Sequence, residues 1–150
     1  MVLYVKDKKI IGGCNEEYLL EAIRVTDPNE HERNYHIFYQ LLYGGSDEML
    51  AKYKLSREPF DYRYLKASGT KQVPTIDDIE DYKALDAVMT TLNITGDLQD
   101  AFWRIMAGIL HMGNLEVDGK DFDSSKPCGF KNPEVLDIVA EVLQMDKGMM

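Results

Sequence analysis

Cysteine and histidine are scarce in this sequence, long apolar runs are missing, and positive charge is in deficit; each shortage removes a class of function. Only two cysteines occur in 150 residues. Cys14 and Cys128 lie far apart and form no C-x-x-C pair, so neither a redox motif nor a four-ligand zinc framework is signalled, and both are expected as reduced thiols of a cytosolic protein. The three histidines, His31, His36 and His111, include no H-E-x-x-H spacing that would set two imidazoles on one helix face. No apolar run reaches the ~20 residues that span a bilayer, and the N-terminus lacks a signal-peptide layout. Seventeen Lys and Arg against 26 Asp and Glu leave a formal net charge of −9. That balance argues against a nucleic-acid or anionic-membrane partner, so any acidic partner must meet a local basic patch.

What remains is a globular composition. Hydrophobic residues make up 45% and charged residues 29% of the chain, enough for a real core in a single domain. Val2-Leu3-Tyr4-Val5, a polar break at residues 6–9 and Ile10-Ile11 predict two short strands around a charged turn. A lone hairpin is marginal in water, so this pair needs further cover. Residues 16–25 carry a helical pattern, broken at Thr26 to Pro28.

The stretch from Glu30 to Leu42 organises the rest. Asp27, Pro28 and Glu30 occupy the cap, first and third positions of a predicted helix. Tyr35, Ile37, Phe38, Leu41 and Leu42 give it a wide buried face, while Glu30, Glu32, Arg33 and Gln40 face solvent. Gly44-Gly45 is expected to end it at positive φ.

Further on, Ser46 caps a short helix over 47–53. An ordered loop from Ser56 to Val73 is pinned by Phe60, Tyr62, Tyr64 and Leu65. An α-hairpin follows: Ile79, Tyr82, Leu85, Met89 and Leu92 after the acidic start Asp77-Asp78, then Leu98, Phe102, Ile105, Ile109 and Met112, the two stripes packing together. Trp103 falls off the main stripe. Leu115-Glu116-Val117 reads as a short strand, residues 118–130 as a polar loop, and Asn132-Pro133 as the start of a last helix buried through Val135, Leu136, Val139, Val142 and Leu143.

Glu32 to Tyr39 resembles the G-E-R-N-[FY]-H-[IV]-F-Y stretch of the myosin motor head, with His31 where that family has glycine. Residues 11–25 are similar to its I-x-G-A-x-I-x-x-Y-L-L-E-K-S-R-V run, although Ala22 and Ile23 replace the lysine and serine, so polar couplings made there by the family are not assumed. Residues 77–92 resemble its D-D-x-x-x-F-x-x-L-x-x-A-M stretch, and residues 108–117 its L-x-L-G-N-[IVL]-x-[FV] stretch. The likeness covers most of the chain, in order and at matching spacing.

The resemblance implies a mainly α fold with a short N-terminal β-strand pair, an incomplete piece of a P-loop NTPase-type motor domain. Residues 1–14 would be a strand pair of the central sheet, and 15–150 the helical upper subdomain. The implied whole is an ATP-driven actin motor of the cytoplasm and cytoskeleton, with ATP and magnesium as ligands. The actin filament and the remaining subdomains of the head would be its partners. The nucleotide motifs themselves are not in these residues. Gly119-Lys120, the only Gly-Lys pair, has no G-x-x-x-x-G-K-[ST] frame; Ser124-Ser125 precedes Lys126 where N-x-x-S-S-R needs arginine; Gly129-Phe130 precedes Lys131 where D-x-x-G-F-E needs glutamate. These 150 residues are not expected to hydrolyse ATP unaided.

No catalytic constellation is expected. His36, bracketed by apolar residues, reads as a hydrogen-bonded structural histidine and His31 as exposed. Glu30, Glu32 and Arg33 read as dipole partners and surface pairs, and Cys14 as a buried small hydrophobe. The candidate functional surface is the loop 118–131. In the myosin head its counterpart faces actin, so Lys120, Lys126 and Lys131 would meet acidic groups on the filament; the competing reading is a solvated loop in which Asp118, Asp121 and Asp123 dilute the positive charge. The rival for the whole chain is a stand-alone helical interaction module, or a truncated relic without motor activity.

Overall fold

A computed structural model describes residues 2–14, 22–29, 31–118 and 129–146. The chain opens on the expected strand pair, β1 (Val2–Lys6) and β2 (Lys9–Cys14), antiparallel from Val2 opposite Cys14 to Lys6 opposite Lys9. Asp7 and Lys8 turn the hairpin with φ of 50° and 64°, the left-handed pair whose twist matches that of the flanking strands. Its apolar side chains lie open: Leu3 is 47%, Val5 61% and Ile10 68% exposed, so among the described residues the hairpin lacks the cover that would stabilise it. Cys14, read from sequence as buried, is exposed at the end of β2, where no layer of the described residues packs on the sheet.

The short helix α1 (Ala22–Thr26) overlaps the predicted 16–25 helix and ends one residue later; residues 15–21 lie outside the described residues. The central helix begins later than its cap signals predict. It runs as α2 (His36–Gly44), and Asp27 and Pro28 precede a non-helical segment. Asn34 explains the delay. Its Nδ2 donates to the carbonyls of Val25 and Tyr64, each at 3.0 Å, and its Oδ1 accepts from the Tyr35 N–H at 2.7 Å. An asparagine side chain that competes for backbone partners in this way holds the chain out of a helix. In the same segment Arg33, expected on the solvent face, is 6% exposed.

Four residues of α2 reach almost complete burial and feed both halves of the core. Phe38, Tyr39 and Leu42 join Tyr62, Leu65 and Leu110; Leu41 joins Tyr53, Met89, Trp103, Ala107 and Val142. The helix does not stop at positive φ, since Gly45 is extended at φ −62°. Gly44 is needed for a close approach: a Cβ there would lie 2.3 Å from the Cβ of Tyr82. Instead of a glycine cap, Arg57 serves the end of α2, its Nη1 donating to the Leu42 carbonyl at 3.0 Å and its Nη2 to that of Gly45 at 2.9 Å.

Ser46 caps α3 (Asp47–Lys52), accepting the Met49 N–H at 3.2 Å. The 56–73 stretch is ordered as expected, and it holds a single 3-10 turn (Pro59–Asp61) and the one-turn helix α4 (Arg63–Lys66), with Tyr62 and Leu65 buried. Asp77 caps α5 (Asp78–Thr91) by accepting the N–H groups of Ile79 and Glu80, each at 3.1 Å.

The predicted α-hairpin forms, but its main packing differs. Helix α5 lies chiefly against α2, and α6 (Asp97–Gly113) chiefly against α7 (Pro133–Leu143). The two hairpin helices touch through Tyr82 and Trp103, ring centroids 5.3 Å apart. The predicted α6 stripe is rotated as well. Leu98, Ile105 and Met112 are exposed, whereas Trp103, Ala107, Gly108 and Leu110 are buried. Small residues set that face. A Cβ on Gly108 would stand 2.3 Å from Leu143 Cδ2, so α7 seats its leucine in the space glycine leaves. Pro133 starts α7 and Val139, Ala140 and Val142 are buried, with Val135, Leu136 and Leu143 half-buried.

Candidate functional site

The loop 118–131 is held at its feet. Asp118 N–H donates to Gly129 O at 2.9 Å and Lys131 N–H to Glu116 O at 2.8 Å, around an antiparallel bridge of Val117 with Phe130. Two asparagines fasten this small ladder to the body. Asn132, placed at the cap of α7, makes no cap bond; its Oδ1 accepts from Glu116 N–H at 3.0 Å and its Nδ2 donates to Asn114 O at 2.8 Å. Asn114 in turn donates through Nδ2 to Asp61 O at 2.8 Å and accepts the Arg63 N–H at 2.8 Å. These bonds satisfy backbone groups at the two described ends of the stretch, residues 116–118 and 129–132.

Of the three lysines picked out from the sequence, Lys131 sits exposed at this base; Lys120 and Lys126 lie outside the described residues. Lys131 lines an open groove of about 780 Å³ with Asp61, Arg63, Lys66, Glu116 and Val135. Arg63 and Lys66 were not legible as part of this surface, because only the Asn114 clamp brings them beside the loop.

The other charged site is internal. Arg33 Nη2 donates to Asp78 Oδ2 at 2.8 Å with the two side chains 4% and 7% exposed, and the guanidinium carbon lies 3.8 Å from the centroid of the Tyr39 ring. Arg33 Nε and Nη1 and Asp78 Oδ1 are buried without a hydrogen-bond partner. Asp78 also lines a second cavity, of about 580 Å³, between Tyr43 and residues 72–79. Burial, reinforced by the charges of Glu58 and Asp78, raises the Tyr43 hydroxyl pKa. The segment joining the strand pair and α1 to the body is thus tied to the first turn of α5.

The histidines divide. His31 is exposed, as expected, at φ 70°. His36 is exposed in the first turn of α2 rather than packed as a structural histidine, because the core face of that helix is taken by Phe38, Tyr39, Leu41 and Leu42. The structural histidine is His111. It is 6% exposed, its Nε2 lies 2.9 Å from Tyr53 O, and burial lowers its pKa against the opposing pull of that bond. Burial pushes the Tyr62 hydroxyl up to about 12. Asp100 gathers Tyr53 Oη at 2.6 Å together with Lys52 and Arg104, which hold its carboxyl below the usual range. Among the described residues no three His, Cys, Asp or Glu gather as metal ligands, and no helix is long and apolar enough to cross a membrane.

The family model of the myosin head (motor domain) matches residues 1–150. The chain belongs to the myosin head family. It is 36% identical to the myosin-I heavy chain of Dictyostelium discoideum over 146 residues, 97% of this chain and 6% of that protein. It is 48% identical to a probable myosin heavy chain of Encephalitozoon cuniculi over 113 residues, 75% of this chain and 7% of that one. Myosin-11 of Arabidopsis thaliana is 39% identical over 146 residues, covering 97% and 9%. The chain therefore spans under an eighth of the length of each of these myosins.

Proposed function

We propose that this chain is a transducing, actin-facing block of an ATP-driven myosin motor. Residues 1–14 would belong to the central sheet and 15–150 to the helical upper subdomain. The observation that carries the reading is the open strand pair: Leu3, Val5, Ile10 and Ile11 are 47–68% exposed, which suits strands that pair and pack within a larger sheet. Helices α2, α5, α6 and α7 share one close-packed core, so they would move as a rigid body when the sheet shifts, a hinge or shear element rather than a reaction centre.

ATP and magnesium, implied for the whole motor, do not fit the residues present. Phosphates favour a helix N-terminus with free N–H groups and no competing charge. Here the first turn of α5 carries Asp78, Glu80 and Asp81, that of α6 Asp97 and Asp100, and that of α7 Glu134; α2 has no acidic first turn, but no glycine-rich loop leads into it and Asn34 Oδ1 already takes the Tyr35 N–H. Nucleotide chemistry would come from other segments of the motor, which would hold the phosphate loop and both switches. The filament contact would run through Lys120, Lys126 and Lys131 on the clamped loop, in a cytoplasmic, cytoskeletal setting.

Reading the coding sequence on either side tests this proposal. It requires G-x-x-x-x-G-K-[ST] and N-x-x-S-S-R upstream and D-x-x-G-F-E downstream. Stops close to both ends would overturn it in favour of a self-contained interaction module.

A further inference from the structure

The chain has 26 acidic and 17 basic residues, and its described surface cations divide into paired ones and unpaired ones, Lys6, Lys8 and Lys9 of the hairpin among the latter. Lys52, Lys54, Arg57, Lys71, Lys83 and Arg104 each pair with an Asp or Glu, and Arg33 does so in the interior. Arg63, Lys66 and Lys131 do not, and among the described residues none of the three has an ion-pair partner. All three are exposed and line the same groove. Their placement is fixed by the backbone: Arg63 N–H is held by Asn114 Oδ1 and Lys131 N–H by Glu116 O.

We infer that Arg63 and Lys66, on α4, extend the filament-facing surface and receive an acidic segment of the partner in the groove they share with Lys131. This rests on the proposed reading of the loop and names a second element within its contact surface. Unpaired cations held apart on a rigid base retain their full attraction for a carboxylate arriving from outside, whereas paired ones must first break a bond. Asp61 and Glu116 also line the groove and work against the acidic partner, so removing one of them strengthens the contact.

The test uses a complete motor head carrying this chain and measures co-sedimentation with filaments at low and high salt. R63E/K66E weakens binding about tenfold at low salt, with the loss shrinking at high salt, and D61K tightens it. A structural role for α4 would not reverse sign with the charge. Weakening by K120E/K126E/K131E with no change from R63E/K66E or D61K overturns the inference and leaves the loop reading standing. No change from any of the three overturns both.

Discussion

Arg33 and Asp78 form an ion pair across 45 residues of sequence, joined at 2.8 Å and closed off from water. The contact is one-legged, because Arg33 Nη1 and Nε and Asp78 Oδ1 have no partner. A buried pair with free valences contributes little net stability, while a buried charge left alone is costly. R33M should therefore destabilise the chain by about 3–5 kcal/mol, and R33M/D78L should recover most of that loss. Urea unfolding of the two variants checks it; equal losses would show that the pair matters through packing alone.

His31 stands at φ 70°, with its N–H donating to Ser68 O at 3.1 Å. The family pattern has glycine here, and the left-handed backbone supplies the reason. H31G should raise stability by about 0.5 kcal/mol, the relief of strain being partly offset by the freer unfolded chain. H31V should lower it, since a β-branched side chain tolerates this conformation least. A thermal melt with the reverse order would contradict the assignment.

Burial of His111 sets the sign of one pH dependence of the fold. Burial lowers its pKa in the folded state, so the unfolded chain binds the proton more readily. Its contribution is complete above the unfolded value near 6.5 and is lost as pH falls from there through the lower folded pKa. H111Q should flatten this part of the stability profile. An unchanged slope between neutral pH and the onset of carboxylate titration would show that the imidazole is not the group responsible.

The order of elements was readable from the sequence, and its errors have common physical causes. Period and caps located the strand pair, α3, α5 and α7, and Phe38, Leu41 and Leu42 did mark the centre of the core. Asn34 defeated the cap signals at Asp27 and Pro28, because two of its hydrogen bonds reach Val25 and Tyr64, which local pattern cannot foresee. The buried face of α6 was missed because Ala107 and Gly108 carry it with Trp103, and small residues add nothing to an apolar stripe. Arg33 was misplaced for a similar reason. Its partner Asp78 was already explained as a dipole charge. For the site, Lys131 was legible as a loop cation, whereas Arg63 and Lys66 join it only through Asn114.

An ATP-driven motor that works on filaments is tested most directly by steady-state ATP turnover of the complete head with filaments titrated in. Turnover should rise to a plateau, and K120E/K126E/K131E should shift the half-maximal filament concentration upward while the basal rate stays the same. Turnover indifferent to filaments, or ATP hydrolysis by residues 1–150 unaided, would contradict the account.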